Sequence, residues 1–240
     1  MKNAVIITGG AKRVGAAMAM YFAHKKFDIA LHYNNSKTEA VALQKKIKKT
    51  GVTCEIFASD LGDSKGLTKL IDAIHKKMPH CNVLVNNASI FERCEFLETD
   101  EALFDRQFAI NFKAPFFLTQ AFAKTFGKNF GACVINILDS DIAQNHTSHF
   151  AYLLSKKVLA DFTQMAARAL GPRVRVNGVC PGILLPSNEL DEEYMVKVAK
   201  ILPLQRTATV EDVLSTVYGL CSNPALTGQF LFVDGGQNVS

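Results

Sequence analysis

An alternation runs through this chain almost from end to end, and it constrains the fold more than any single residue does. Seven short apolar runs, AVII (4–7), DIALHY (28–33), TCEIFA (53–58), NVLVNN (82–87), ACVINIL (132–138), VRVNGV (174–179) and QFLFV (229–233), read as strands. Helical patterns near 14–26, 37–50, 64–78, 101–128, 150–170 and 210–221 separate them. Most of the runs are continuously apolar rather than alternating, as in strands covered on both faces. Strands joined by helices of this length form right-handed crossovers and lie parallel. The expectation is a single-domain, Rossmann-type doubly wound α/β fold with a parallel seven-stranded sheet spanning residues 1–240. Its cofactor half covers about 1–135 and its substrate and catalytic half about 136–240. Ligands of such sheets sit beyond the carboxyl ends of the strands, so the loop after each strand is where chemistry is sought.

Composition narrows the class. With 48% hydrophobic and 20% charged residues and no linker-like stretch, the chain can bury a sizeable core and is not disordered. No apolar run approaches the roughly 18 residues of a membrane helix. Residues 1–7 (MKNAVII) are too short for a signal-peptide core, so a cytoplasmic protein is expected. Six scattered cysteines (54, 81, 94, 133, 180, 221) lack CxxC spacing and read as free thiols. His146 and His149 have no third ligand nearby, so no metal is expected. The net charge of +5 suits an anionic cofactor. Lys45, Lys46, Lys48 and Lys49 lie opposite Val41, Leu43 and Ile47 on a helical stretch; they read as a solvated face, not a nucleic-acid patch.

The first loop, Thr8-Gly9-Gly10-Ala11-Lys12-Arg13-Val14-Gly15, lies between a strand and a helix. Small residues there let backbone N–H groups approach a pyrophosphate at a helix N-terminus. After the second strand, Leu31-His32-Tyr33-Asn34-Asn35-Ser36 holds no acid to receive a ribose 2′-hydroxyl. Lys12, Arg13, His32 and Ser36 can instead surround a 2′-phosphate, which favours NADPH over NADH.

The N-terminal TGxxx(x)xG spacing resembles the short-chain dehydrogenase/reductase family, with Arg13 in place of the middle glycine of TGxxxGxG. The resemblance implies adenine contacts from Asp60-Leu61. It also implies cofactor contacts from Asn87, Ala88 and Ser89, in an NNAG-like motif whose glycine is Ser89. Arg175-Val176-Asn177-Gly178-Val179-Cys180-Pro181-Gly182 is similar to the family's RVNxVxPG turn, so Pro181, Gly182 and Ile183 would close over the nicotinamide. The Thr or Ser that usually follows is missing from Ile183-Leu184-Leu185-Pro186.

Three YxxxK matches occur, Tyr21/Lys25, Tyr33/Lys37 and Tyr152/Lys156. Context selects the last: it lies on a helix after a long strand, one turn apart and on one face. A hydride acceptor must be protonated, and an unperturbed Tyr near pKa 10 is a poor acid–base group at neutral pH. A neighbouring Lys is expected to lower that pKa, and the family's Lys also holds the ribose. Asn111 matches the family Asn that supports a proton-relay water. Where the family commonly has a substrate-binding Ser before the Tyr, this chain has Asp139, with Ser140 one position off. A carboxylate is ill suited to polarising a ketone and well suited to a substrate with N–H donors, which suggests C=N rather than C=O reduction.

Arg13, His32-Tyr33 with Ser36, NNAS followed by Ile90-Phe91, and Asp139 with Tyr152 and Lys156 together resemble the pteridine reductases and the bacterial dihydromonapterin reductases. The resemblance implies that Phe91 stacks on the pterin, that Arg13 and Ser89 contact cofactor phosphate and pterin, and that Asp139 and Tyr152 act on ring nitrogens. Asn35 stands where parasite-type enzymes carry Arg, which removes one charge from the 2′-phosphate clamp. The implied activity is NADPH-dependent reduction of a dihydropterin (dihydromonapterin, dihydrobiopterin or dihydrofolate) by a homotetramer assembled through helices 101–128 and 150–170. The competing readings are a carbonyl reductase such as a 3-oxoacyl-carrier-protein reductase, using Ser140, and a non-catalytic NADP-binding sensor.

Overall fold

The computed structural model describes residues 3–126, 131–185 and 192–239. Seven parallel strands form one sheet in the order β3-β2-β1-β4-β5-β6-β7. They are β1 (Ala4–Ile7), β2 (Asp28–Tyr33), β3 (Cys54–Ala58), β4 (Cys81–Asn86), β5 (Ala132–Ile137), β6 (Val174–Pro181) and β7 (Phe230–Val233). Each expected strand is present within a residue or two of its expected bounds. The strand order reverses beside β1, which leaves a crevice between the loops after β1 and β4, the usual ligand position in such sheets.

Two cores sandwich the sheet. On one face Met18 and Phe22 of α1 (Arg13–His24), Leu43 and Ile47 of α2 (Lys37–Lys48) and Val213 and Val217 of α8 (Val210–Ser222) pack on Val5, Ile7, Ile29 and Leu31. On the other, Leu67 and Ile71 of α3 (Ser64–Lys77), Leu118 and Phe122 of α5 (Ala114–Thr125) and Ala166 of α6 (Phe150–Leu170) pack on Ile6, Leu84 and Val134. Both faces of the strands are therefore dry, which is why their runs are continuously apolar. Lys45, Lys46, Lys48 and Lys49 are all solvent-exposed at the end of α2.

Two departures from the expected elements bear on the site. The expected helix 101–128 is broken into α4 (Glu101–Phe108), a π-helical stretch (Ala109–Lys113) and α5; residues 127 and 128 lie outside the described residues. Pro115 at the start of α5 has no N–H to return to the preceding turn, a sufficient reason for the ladder to slip there. The second is an additional helix, α7 (Glu192–Ile201), between β6 and α8; residues 186–191 lie outside the described residues.

Candidate active site

The cofactor crevice is a cavity of about 370 Å³ walled by Gly9, Lys12, Arg13, Val14, His32, Asn34, Asp60, Leu61, Asn87, Ala88 and Ser89, among others. Most of the expected cofactor residues thus converge. Tyr33 and Ser36 do not line it: the Tyr33 ring is buried in the core beneath the sheet, and Ser36 starts α2.

The loop after β1 is shaped for close approach. A Cβ on Gly15 would stand 2.3 Å from the Gly9 carbonyl oxygen, so only glycine fits. Arg13 occupies the place of the family's middle glycine and keeps a left-handed backbone, φ 49°. For a side-chain-bearing residue that conformation costs about 1 kcal/mol, a strain retained where a guanidinium faces the crevice. Thr8 and Asn87 sew this loop to the one after β4. Thr8 Oγ1 accepts from the backbone N–H groups of Asn87 (2.9 Å) and Ala88 (3.0 Å), while Asn87 Nδ2 donates to the Thr8 carbonyl (2.8 Å).

His32 is placed otherwise than expected. It is buried, its Nδ1 accepts from the Gly9 N–H at 3.1 Å and its Nε2 meets the Ser59 carbonyl at 3.0 Å. Those partners require a neutral ring, and burial lowers its pKa accordingly. His32 is therefore a brace at the end of β2 joining the loops after β1 and β3, not a cation for the 2′-phosphate. Lys12 pairs with Glu39 of α2 at 2.7 Å. Asp60 Oδ1 accepts from the Gly62 N–H at 2.9 Å, while Asp63 caps α3 by accepting from the Lys65 N–H at 3.0 Å.

The second cavity, about 540 Å³, shares Arg13, Val14 and Ser89 with the first and lies beside it. Its walls include Phe91, Asp139, Ser140, Tyr152, Gly182 and Ile183. Pro181 ends β6, and the Gly182 N–H donates to the Val233 carbonyl at 3.0 Å, which fixes the turn beside the cavity. The other two YxxxK pairs are elsewhere: Lys25 lies over the Tyr21 and Tyr218 rings, and Tyr33 is in the core.

The chemistry gathers where β5 meets α6. Asp139 leaves β5 and caps the short turn Ser140–Ala143, its Oδ1 accepting from the Asp141 N–H at 2.9 Å. Its Oδ2 accepts from Tyr152 Oη at 2.6 Å. Lys156, one turn along α6 and buried, donates from Nζ to the Ile137 carbonyl at 2.9 Å and lies 5.6 Å from the centre of the Tyr152 ring. The expectation that Lys156 lowers the Tyr152 pKa is overturned. Burial and the adjacent Asp139 carboxylate push the phenol well above its usual range. Burial lowers Lys156 to about 8, against the pull of Asp139. Burial also raises Asp139, with the Tyr152 hydrogen bond opposing. Tyr152 is thus a neutral phenol aimed at a carboxylate with a raised affinity for protons.

Asn111 lies in the π-helical stretch, buried, and its amide is fully engaged by protein. Its Oδ1 accepts from Ser89 Oγ (3.0 Å) and the Ile90 N–H (2.9 Å), and its Nδ2 donates to the Ile90 carbonyl (3.0 Å) and Ser155 Oγ (3.2 Å). It clasps the loop after β4 to α6. Ser89 Oγ accordingly donates its hydrogen bond to Asn111 Oδ1, while the residue borders both cavities. Phe91 is half exposed. Its ring stacks on His149 (4.1 Å, 14°) and meets Tyr152 edge to face (4.7 Å, 88°).

Wall residues that sequence reasoning missed include His149 and Asp141, Tyr194 on α7, and Gln237 in the turn after β7. Only His149 carried a usable signal, three residues before Tyr152 at the N-cap of α6. No group of three or more His, Cys, Asp or Glu among the described residues is arranged to hold a metal ion. No helix of the described residues is long and apolar enough to cross a membrane.

This arrangement has counterparts among known proteins. A family model described as enoyl-(acyl carrier protein) reductase matches residues 9–238. Pteridine reductase 1 of Leishmania tarentolae is 28% identical, over 98% of this chain and 96% of that protein. The 3-oxoacyl-[acyl-carrier-protein] reductase FabG of Staphylococcus epidermidis is 28% identical, over 98% of this chain and 99% of that protein. Among solved structures, FolM alternative dihydrofolate reductase 1 from Brucella suis, in complex with NADP, superposes with a TM-score of 0.94 at 33% identity, covering 99% of this chain and 95% of that one. The Brucella canis protein, also with NADP, gives 0.93 at 34% identity, covering 100% and 94%. With its parallel seven-stranded sheet, glycine crevice and Tyr152/Lys156 pair, the chain belongs to the short-chain dehydrogenase/reductase family of oxidoreductases.

Proposed function

We infer that the protein is an NADPH-dependent reductase of a dihydropterin. The observation that carries this reading is the 2.6 Å contact between Tyr152 Oη and Asp139 on the wall of a cavity bordered by Phe91. NADPH fits the residues present: a glycine cradle that a Cβ would fill, Lys12 and Arg13 at its mouth, and no acid in the loop after β2. When bound it supplies the hydride. The protein's own residues do the rest. Asp139 accepts hydrogen bonds from ring N–H groups, and the Asp139–Tyr152 pair passes one proton to the ring nitrogen as the C=N bond is reduced. Phe91 offers an aromatic wall to a flat substrate. The similarity to a pteridine reductase and to two proteins named alternative dihydrofolate reductase supports the pterin and folate class.

A second reading, reduction of a 3-oxoacyl thioester, is favoured by the FabG relatives and by Ser140, which lines the same cavity. Asp139 opposes it, because its carboxylate repels a developing alkoxide. The test is NADPH oxidation by the purified protein with dihydromonapterin, dihydrobiopterin and dihydrofolate, against an acetoacetyl thioester. Pterin turnover alone is expected; thioester turnover alone would assign the acceptor to Ser140. Assembly as a homotetramer belongs to the same reading: Phe104, Phe117 and Met165 leave apolar side chains exposed on α4, α5 and α6. Light scattering of the eluting protein tests it.

A further inference from the structure

Asp139 is not the lone carboxylate at the end of β5. Asp141 follows on the same short turn, and both line the 540 Å³ cavity. The backbone N–H of Asp141 holds Asp139 Oδ1 at 2.9 Å, so the spacing of the two residues is set by the turn itself. The Asp141 carboxylate is held from elsewhere in the chain. Its Oδ1 accepts from Gln237 Nε2 at 2.7 Å, a contact spanning 96 residues, and His146 Nε2 stands 4.0 Å from the same oxygen. Gln237 opens the C-terminal turn Gln237–Val239. That turn is itself pinned where Asp234 accepts from the Gly236 and Asn238 N–H groups at 2.9 and 2.8 Å.

The geometry points to Asp141 as a positioning residue that sets the proton affinity of the Asp139–Tyr152 pair, with Gln237 holding its charge in place. The choice of glutamine is informative. An amide orients a carboxylate without neutralising it, whereas Arg or Lys at that position would cancel the field that Asp139 feels. Like charges held near one another raise the proton affinity of the more buried group, and the Asp141 charge acts in that direction on both Asp139 and Tyr152.

The groups that act on the proton affinity of Asp139 come from three elements. Tyr152 and Lys156 come from α6, Cys180 from β6 and Asp141 from its own turn. Burial keeps the Cys180 thiol neutral, pushed up to about 12, and Lys156 is committed to the Ile137 carbonyl. Asp141 is therefore the neighbouring charge that can be removed without dismantling the site. Asn at this position keeps the backbone N–H and an oxygen for Gln237, so it removes the charge alone.

The inference rests on the dihydropterin reading, in which Asp139 exchanges protons with substrate. Its test is the pH profile of kcat for dihydropterin reduction by the intact protein and by Asp141→Asn, Asp141→Glu and Gln237→Ala, with NADPH affinity followed by fluorescence. In Asp141→Asn the limb that reports Asp139 moves to lower pH, because loss of a neighbouring negative charge makes Asp139 easier to ionise. This holds whichever protonation state of Asp139 is the active one. Asp141→Glu keeps the wild-type limb, Gln237→Ala moves it part of the way, and NADPH affinity stays unchanged in all three. An even fall in kcat at every pH with the limb unmoved would make Asp141 merely structural and overturn the inference, as would an unaltered profile. If the wild-type protein turns over no dihydropterin, the functional reading itself fails; if it does and the Asn profile is unmoved, only this inference fails.

Discussion

The two ends of the cleft are built from different materials. At the cofactor end the recurring partners are backbone groups and neutral side chains: Thr8, Asn87 and a neutral His32 hold the glycine loop by 2.8–3.1 Å hydrogen bonds. At the proton-transfer end the partners are titratable groups displaced by burial: Asp139 raised, Tyr152 raised, Lys156 lowered to about 8. The first end binds an anion by fixed dipoles and steric openings, so it must be rigid and need not titrate. At the second, desolvation raises Asp139 and lowers Lys156, bringing those two proton affinities toward each other, as the proposed proton transfer requires. In the proposed function, binding by shape and proton transfer thus lie on opposite sides of Arg13, Val14 and Ser89.

Substitutions that separate these two kinds of construction should behave differently. The largest effect is expected for Tyr152→Phe, which removes the donor to Asp139. Turnover should fall by about 10²–10⁴-fold while NADPH fluorescence titrations stay unchanged; weakened NADPH binding would show that the two ends are not independent. At the other end, Gly15→Ala puts a methyl 2.3 Å from the Gly9 oxygen. Relief costs about 1–3 kcal/mol, so NADPH affinity should drop by about tenfold or more. Isothermal titration that finds wild-type affinity would mean that the loop is not the cofactor cradle.

His32→Ala leaves the Gly9 N–H without its acceptor and should cost about 1–3 kcal/mol of stability. It also carries a pH signature. Burial lowers the folded-state pKa of His32 below 6.5, so below that value the unfolded chain binds more protons than the folded one. The contribution of His32 is complete above pH 6.5 and is lost as pH falls toward the folded value. Urea unfolding on either side of that pH should show the loss in the wild-type protein and a shallower one in His32→Ala; equal slopes would free His32 from its bracing role. The smallest effect is expected for Phe91→Ala. Loss of about 0.5–1.5 kcal/mol of stacking should raise the KM for dihydropterin several-fold with little change in kcat, and an unchanged KM would reduce Phe91 to a loop anchor that packs on His149.

The same division governs what could be read without a structure. Continuous apolar runs and intervening helices were enough for the strands and their parallel pairing, because a strand with two dry faces has little choice of composition. The glycine loop was legible because steric openings demand glycine at particular places. The break between α4 and α5 was less visible, since the apolar pattern continues through it and only Pro115 marks the slip. His32 was misread for a physical reason: a polar residue at a strand end looks like a ligand group until its burial and its two backbone partners are known. Lys156 was misjudged in the same way. Its spacing from Tyr152 on the helix was correct, but spacing does not say that Nζ turns to the Ile137 carbonyl or that the Tyr152 hydroxyl donates to Asp139.

By itself the sequence determined the sheet, the glycine cradle and the presence of Asp139 thirteen residues before Tyr152, since each depends on local composition or on residues near one another in the chain. Tertiary structure alone decided the electrostatics. It brought Gln237 across 96 residues to Asp141, set His149 against Phe91, and buried Asp139, Tyr152 and Lys156 together. A proton affinity is the sum of desolvation and distances to every neighbouring charge, and those quantities do not exist until distant segments of the chain have packed.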